Sequence, residues 1–140
     1  MYSLFELCVS FLEWIGYTFQ LSYEKISVYF NLYLQGGGLI SSTLPALIIA
    51  IHRKYANWIL VSTCNTCVYV VGFIWMMQHY CLPGNISYAY NKCVVDLEWL
   101  ALELNVTYQQ VNILLFVILY LLLILLNVLM CRTVLNYMPK

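Results

Sequence analysis

WILVSTCNTCVYVVGFIWMMQH, residues 58–79, decides what kind of protein this chain is: 22 residues pass without a lysine, arginine, aspartate or glutamate. A helix needs about 20 predominantly apolar residues to cross the hydrocarbon core of a bilayer, and this stretch supplies them. A second run, 113–130, is apolar except for Asn127. A third, 39–51, holds only 13 residues. As a helix it rises about 20 Å against a core of ~30 Å. It must take in residues ahead of Gly36, or enter the bilayer partway.

The composition agrees. Of 140 residues, 64% are hydrophobic and 9% charged, where soluble domains carry roughly 25% charged residues. We expect an all-α polytopic membrane protein with three or four transmembrane helices. Net charge is zero, so nucleic-acid binding has no electrostatic footing. The N-terminus lacks the basic region of a cleavable signal peptide.

Cations set the expected orientation. Arg53 and Lys54 separate the 39–51 and 58–79 runs, and Arg132 and Lys140 follow the last one. Two spans joined by a loop over 80–110 put these four on one side, leaving Lys25 and Lys92 for the other. The positive-inside rule then places the C-terminus in the cytosol and the 80–110 loop toward the exterior or a lumen.

Ahead of these runs, SLFELCVSFLEWIGYTFQ, residues 3–20, is apolar except for an ordered set of polar positions. Ser3, Glu6, Ser10, Glu13, Tyr17 and Gln20 follow steps of three and four, and Glu24, Ser27, Asn31 and Gln35 continue them. That period marks one helical face. Residues 1–35 are expected to form an amphipathic N-terminal unit, one long helix or two joined near Gly16. Gly36-Gly37-Gly38 is expected to end it, with 36–140 as the bundle. The stripe lies either toward water at the interface or inward in a fourth crossing, where a carboxylate facing lipid would cost several kcal/mol or more. It is expected to serve assembly.

Small residues mark a packing face. Gly38, Ser42, Ala46 and Ala50 recur every four residues, a spacing that lets membrane helices approach closely. Pro45 kinks this helix or marks its start. Asn65 and Gly72 share a face of 58–79, and Asn65 at mid-span requires a hydrogen-bonding partner. Bundle contact is the plainer reading of Asn65, Asn112 and Asn127. The sharper one is a polar conduit of Glu13, Asn65 and Asn127.

Cys64 and Cys67 form a C-x-x-C inside an apolar span, away from the solvent and extra ligands that redox or zinc chemistry needs. They and Cys8 read as packing residues. Cys81 and Cys93 flank Pro83-Gly84 in the outer loop, and in an oxidising compartment they should pair as a disulfide. Cys131 beside Arg132 is a palmitoylation candidate. Asn85-Ile86-Ser87 and Asn105-Val106-Thr107 are glycosylation sequons, and 94–104 alternates acids with apolar residues as a short surface helix would. His52 and His79 fall at opposite membrane faces, so they cannot share a metal. No catalytic or phosphate-binding motif occurs, and neither an enzyme nor a cofactor is expected.

Leu44 to Asn65, LPALIIAIHRKYANWILVSTCN, with GFIW at 72–75, resembles phage superinfection-immunity membrane proteins. Leu44, Pro45, Ala50, Arg53, Asn57, Asn65 and Gly72 stand near matching places. The spacing is displaced by about one residue, Phe73 stands where a Trp follows the glycine, and a further glycine is absent. The resemblance covers about a quarter of the chain and implies a membrane hairpin with an immunity-like role. From the residues themselves, the expected function is a structural or assembly subunit of a membrane complex or viral envelope. An oligomeric channel of the viroporin kind is the competitor. The expected partners are the lipid bilayer and other membrane subunits, or further copies of the chain.

Overall fold

Three long helices carry the apolar runs, in a computed structural model that describes residues 2–81 and 85–137. The chain order is α1 (Tyr2–Thr18), α2 (Tyr23–His52), α3 (Ala56–Cys81), α4 (Ile86–Glu103) and α5 (Tyr108–Asn136), with no strand among the described residues. α2 with 30 residues, α3 with 25 over Ala56–Tyr80 and α5 with 29 are long and apolar enough to cross a membrane. The protein is thus an all-α polytopic membrane protein. The 39–51 run does borrow from ahead of Gly36. α1, with 17 residues, reaches only about 25 Å and is not one of the three.

The helix boundary near the N-terminus differs from the sequence expectation. The break falls at 19–22, and α2 runs through Gly36, Gly37 and Gly38 without interruption. In hydrocarbon no water competes for backbone groups, so a helix that stops leaves costly unsatisfied donors and acceptors. The glycines serve contact instead. A β-carbon at Gly36 would lie 2.5 Å from Phe73 Cδ2, and one at Gly38 would lie 2.6 Å from the Tyr120 hydroxyl.

The true stops share one device. Gln20, Lys54 and Asn105 adopt positive φ of 55°, 56° and 52°. Each is followed by a residue whose N–H donates five positions back: Leu21 to Gly16, Tyr55 to Ala50, Val106 to Ala101. Gln20, Lys54 and Asn105 themselves donate three positions back. This is the Schellman closure, built here without glycine.

α2, α3 and α5 form the bundle, with Thr43, Ala46, Ala50, Ser62 and Val134 fully buried between them. Where 80–110 was expected to be mainly loop, α4 occupies Ile86–Glu103 and packs Ala89, Leu97 and Ala101 onto the beginnings of α2 and α5 and the end of α3. α1 covers the same end, burying Leu12 beside α2 and α5. Arg53, Lys54 and Arg132 sit at the opposite end, where Arg53 Nη1 donates to the Leu135 carbonyl at 2.8 Å. Lys140 lies outside the described residues.

Candidate functional site

Two places hold polar groups against apolar surroundings. The first is a seam inside the bundle. Asn65 on α3 donates its amide to Asn127 Oδ1 at 3.0 Å, and Asn127 on α5 donates to Ser42 Oγ on α2 at 2.8 Å. Ser42 gives its own proton to the Leu39 carbonyl at 2.7 Å. One step along, the Thr43 and Thr66 hydroxyls lie 2.9 Å apart. The small stripe makes this possible: Ala46 and Ala50 have no exposed surface, and a longer side chain at Ser42 would push α5 away. Gly72 is not part of it. It is exposed, and a β-carbon there would meet nothing within 4 Å. The close glycines are both on α2: Gly38 against the Tyr120 hydroxyl, and Gly36, two residues earlier and outside the small-residue stripe, against Phe73.

The seam is closed on itself, so Glu13 does not join Asn65 and Asn127 in a conduit. Glu6, Ser10, Glu13 and Gln20 are all exposed, on α1 or in the turn after it. Glu24 is half-buried and accepts the Ser87 hydroxyl proton at 2.8 Å. The stripe is therefore an outward face of α1, adjoined by exposed Leu7, Trp14 and Tyr17.

The second place is a cavity of about 280 Å³ between α1, α2, α4 and α5. Phe5, Leu12, Phe30, Leu97 and Phe116 line it with Ser27, and no Asp, Glu, Lys, Arg or His does. Both long helices widen where they face it, into π turns at Tyr29–Leu34 and Leu114–Leu119. Such turns are rare and recur at functional sites. Gln35 Nε2 ties them together by donating to the Phe116 carbonyl at 2.8 Å. In the cavity wall, burial pushes the Tyr90 phenol above its ordinary pKa, helped by Tyr23, Tyr108 and Glu24.

At the α4 end, His79 Nε2 lies 3.6 Å from Asp96 Oδ2 and stacks on Trp75, while Lys92 donates to the His79 carbonyl at 3.0 Å. Tyr55, Trp58 and Tyr137 cluster at the other end, as interfacial aromatics do. Among the described residues no three His, Cys, Asp or Glu side chains are placed to hold a metal ion. Asn85 caps α4, its side chain accepting from the Ser87 and Tyr88 amides, and Asn105 is exposed in the turn beyond Glu103. Cys64 and Cys67 are exposed on α3, Cys8 lines the cavity, and Cys131 is half-buried next to Arg132. The Cys81 side chain lies outside the described residues, and the Cys81–Cys93 pairing with it.

No protein family, characterised protein or solved structure matches this chain.

Proposed function

We propose that the chain is a non-catalytic structural or assembly subunit of a membrane complex or viral envelope, docking through the outward face of α1. The observation that carries this is the state of Glu6 and Glu13. Both are exposed and, among the described residues, take no hydrogen bond or ion pair, while the adjoining face of the same helix buries Leu12 and Gly16. An acidic stripe flanked by Leu7, Trp14 and Tyr17 suits a partner better than lipid, because carboxylates facing hydrocarbon are costly. The spans offer further contact area, since 22% of α2's most apolar stretch is buried within the chain, 11% of α5's and 6% of α3's.

A viroporin-like pore finds less support. Its lining would need polar groups aimed at a lumen, whereas Asn65 and Asn127 satisfy each other and Ser42. In this reading Arg53, Lys54 and Arg132 face the cytosol. α4, with Asn85 and Asn105 at its ends and a Cys81–Cys93 bridge joining its middle to the end of α3, faces the exterior or lumen.

The test is recovery of assemblies in mild detergent from wild type and a Glu6→Gln, Glu13→Gln double variant. Loss of co-purifying subunits or of the homo-oligomer, with bilayer conductance at background, supports the proposal. Cation-selective currents from the pure protein that weaken in Glu13→Gln would replace it with the channel.

A further inference from the structure

Six helical hydroxyls of this chain share a habit that two buried serines, Ser27 and Ser62, break, and only Ser27 of the two lines the cavity. Thr18, Ser41, Ser42, Thr43, Thr66 and Thr133 each donate to a carbonyl three or four residues back in their own helix, the usual way a hydroxyl is satisfied within a helix. Ser27 Oγ is buried, with the residue 6% exposed, and has no partner. It lines the cavity between α1, α2, α4 and α5. A buried donor without an acceptor is costly to leave unmade, and no acceptor within the chain meets it.

We propose that this cavity binds an acyl chain of a bilayer lipid, whose uncharged ester oxygen accepts the Ser27 proton. The walls define the ligand. Phe5, Leu12, Phe30, Leu97 and Phe116 offer an apolar, aromatic-rich surface, and void left among such groups forfeits their dispersion contacts. The lining holds no ionised side chain to recognise a phosphate or an ammonium, so the part of the ligand inside is neutral. The other polar groups of the lining are uncharged: Asn31, Tyr23, Tyr90, Tyr108 and Tyr120, Gln35, which is committed to the Phe116 carbonyl, and Asn112, whose amide lies 3.5 Å from the Tyr108 hydroxyl. The π turns of α2 and α5 form two of the walls, and the same turns expose Leu34 and Leu114 on their outer sides. The ligand within reach is therefore the lipid already around the bundle. This site stands apart from the acidic face of α1 and does not depend on subunit assembly.

Full-length protein in phosphatidylcholine nanodiscs carrying a photoreactive diazirine on one acyl chain tests the assignment. After irradiation, peptide mapping should find adducts on the cavity residues Leu12, Phe30 or Leu97 in excess over Val68 and Val71 on the exposed side of α3. Ser27→Ala removes a hydroxyl that has no partner and so preserves the fold. It should lower cavity adducts about three- to tenfold, the effect of one hydrogen bond, and leave α3 adducts unchanged. Cys8→Phe, which narrows the cavity, should lower them as well. Native mass spectrometry of the detergent-released protein should show a retained lipid mass that Cys8→Phe loses. Cavity adducts no more frequent than those on α3, no response to either variant, or a second protein copy retained in place of lipid would each overturn the proposal.

Discussion

Asn127 joins two helices at once: it accepts from Asn65 at 3.0 Å and donates to Ser42 at 2.8 Å. It is 2% exposed, so neither bond competes with water. Asn127→Ala is expected to destabilise the bundle by about 1–3 kcal/mol, because it strands the Asn65 amide in an apolar setting. A double-mutant cycle with Asn65→Ala should return a smaller coupling, roughly 0.6–1.7 kcal/mol, typical of interhelical hydrogen bonds in membranes. Unfolding by denaturing detergent, followed by circular dichroism, measures both. Additive single effects would mean that the two asparagines do not interact.

The three adjacent glycines should separate by their surroundings. Gly37 has open space around it, whereas a β-carbon at Gly36 runs into the Phe73 ring. Gly37→Ala is expected to raise stability by about 0.5–1 kcal/mol through helix propensity. Gly36→Ala should lower it by about 1–3 kcal/mol through overpacking. Equal effects at the two positions would contradict the placement of Phe73.

Lys54 and Gln20 hold left-handed backbone at helix ends, a conformation that costs a non-glycine residue about 1–2 kcal/mol. Lys54→Gly and Gln20→Gly are each expected to raise the unfolding midpoint, by up to about 1 kcal/mol of stability. Asn105→Gly should gain less, since asparagine tolerates this region better. A fall in stability at Lys54 would show that its side chain contributes more than its backbone costs.

Tyr90 gives a pH dependence. Its phenol is raised above the ordinary value of 10, first by burial and then by Tyr23, Tyr108 and Glu24. A raised folded pKa means that the native state prefers the neutral phenol. The contribution is fully present below pH 10 and is lost as the pH climbs through the folded value. Stability should fall less steeply above pH 10 in Tyr90→Phe than in wild type. Identical slopes would assign the alkaline loss to other groups.

Much of this architecture can be read from residue order. An uncharged run such as 58–79 has one physical outcome, and Asn65 and Asn127 had to find partners because hydrocarbon supplies none. The small stripe from Gly38 to Ala50 likewise announces close approach. Helix ends were the weak point, and for a definite reason. Gly36-Gly37-Gly38 carries the usual stop signal but sits where a lipid-facing backbone cannot afford to stop. The real stops fall at Gln20, Lys54 and Asn105, which carry no glycine and are set by carbonyls five residues back. The cavity was not legible either. Its walls come from α1, α2, α4 and α5, and Ser27 counted only as one more position in a polar period until its partner proved absent.

The Asn65–Asn127 bond also orders events during synthesis. Its two ends are 62 residues apart, so the ribosome delivers the α2–α3 hairpin to the bilayer well before α5 exists. In that interval the Asn65 amide, and the Arg53 guanidinium awaiting the Leu135 carbonyl 82 residues later, are provisional. The nascent hairpin therefore has a temporary need for an escort: an insertase or a neighbouring helix that holds a polar side chain until the last span arrives. A chain truncated before Tyr108 should be the substrate of choice for membrane quality control, and restoring α5 as a separate polypeptide should rescue it.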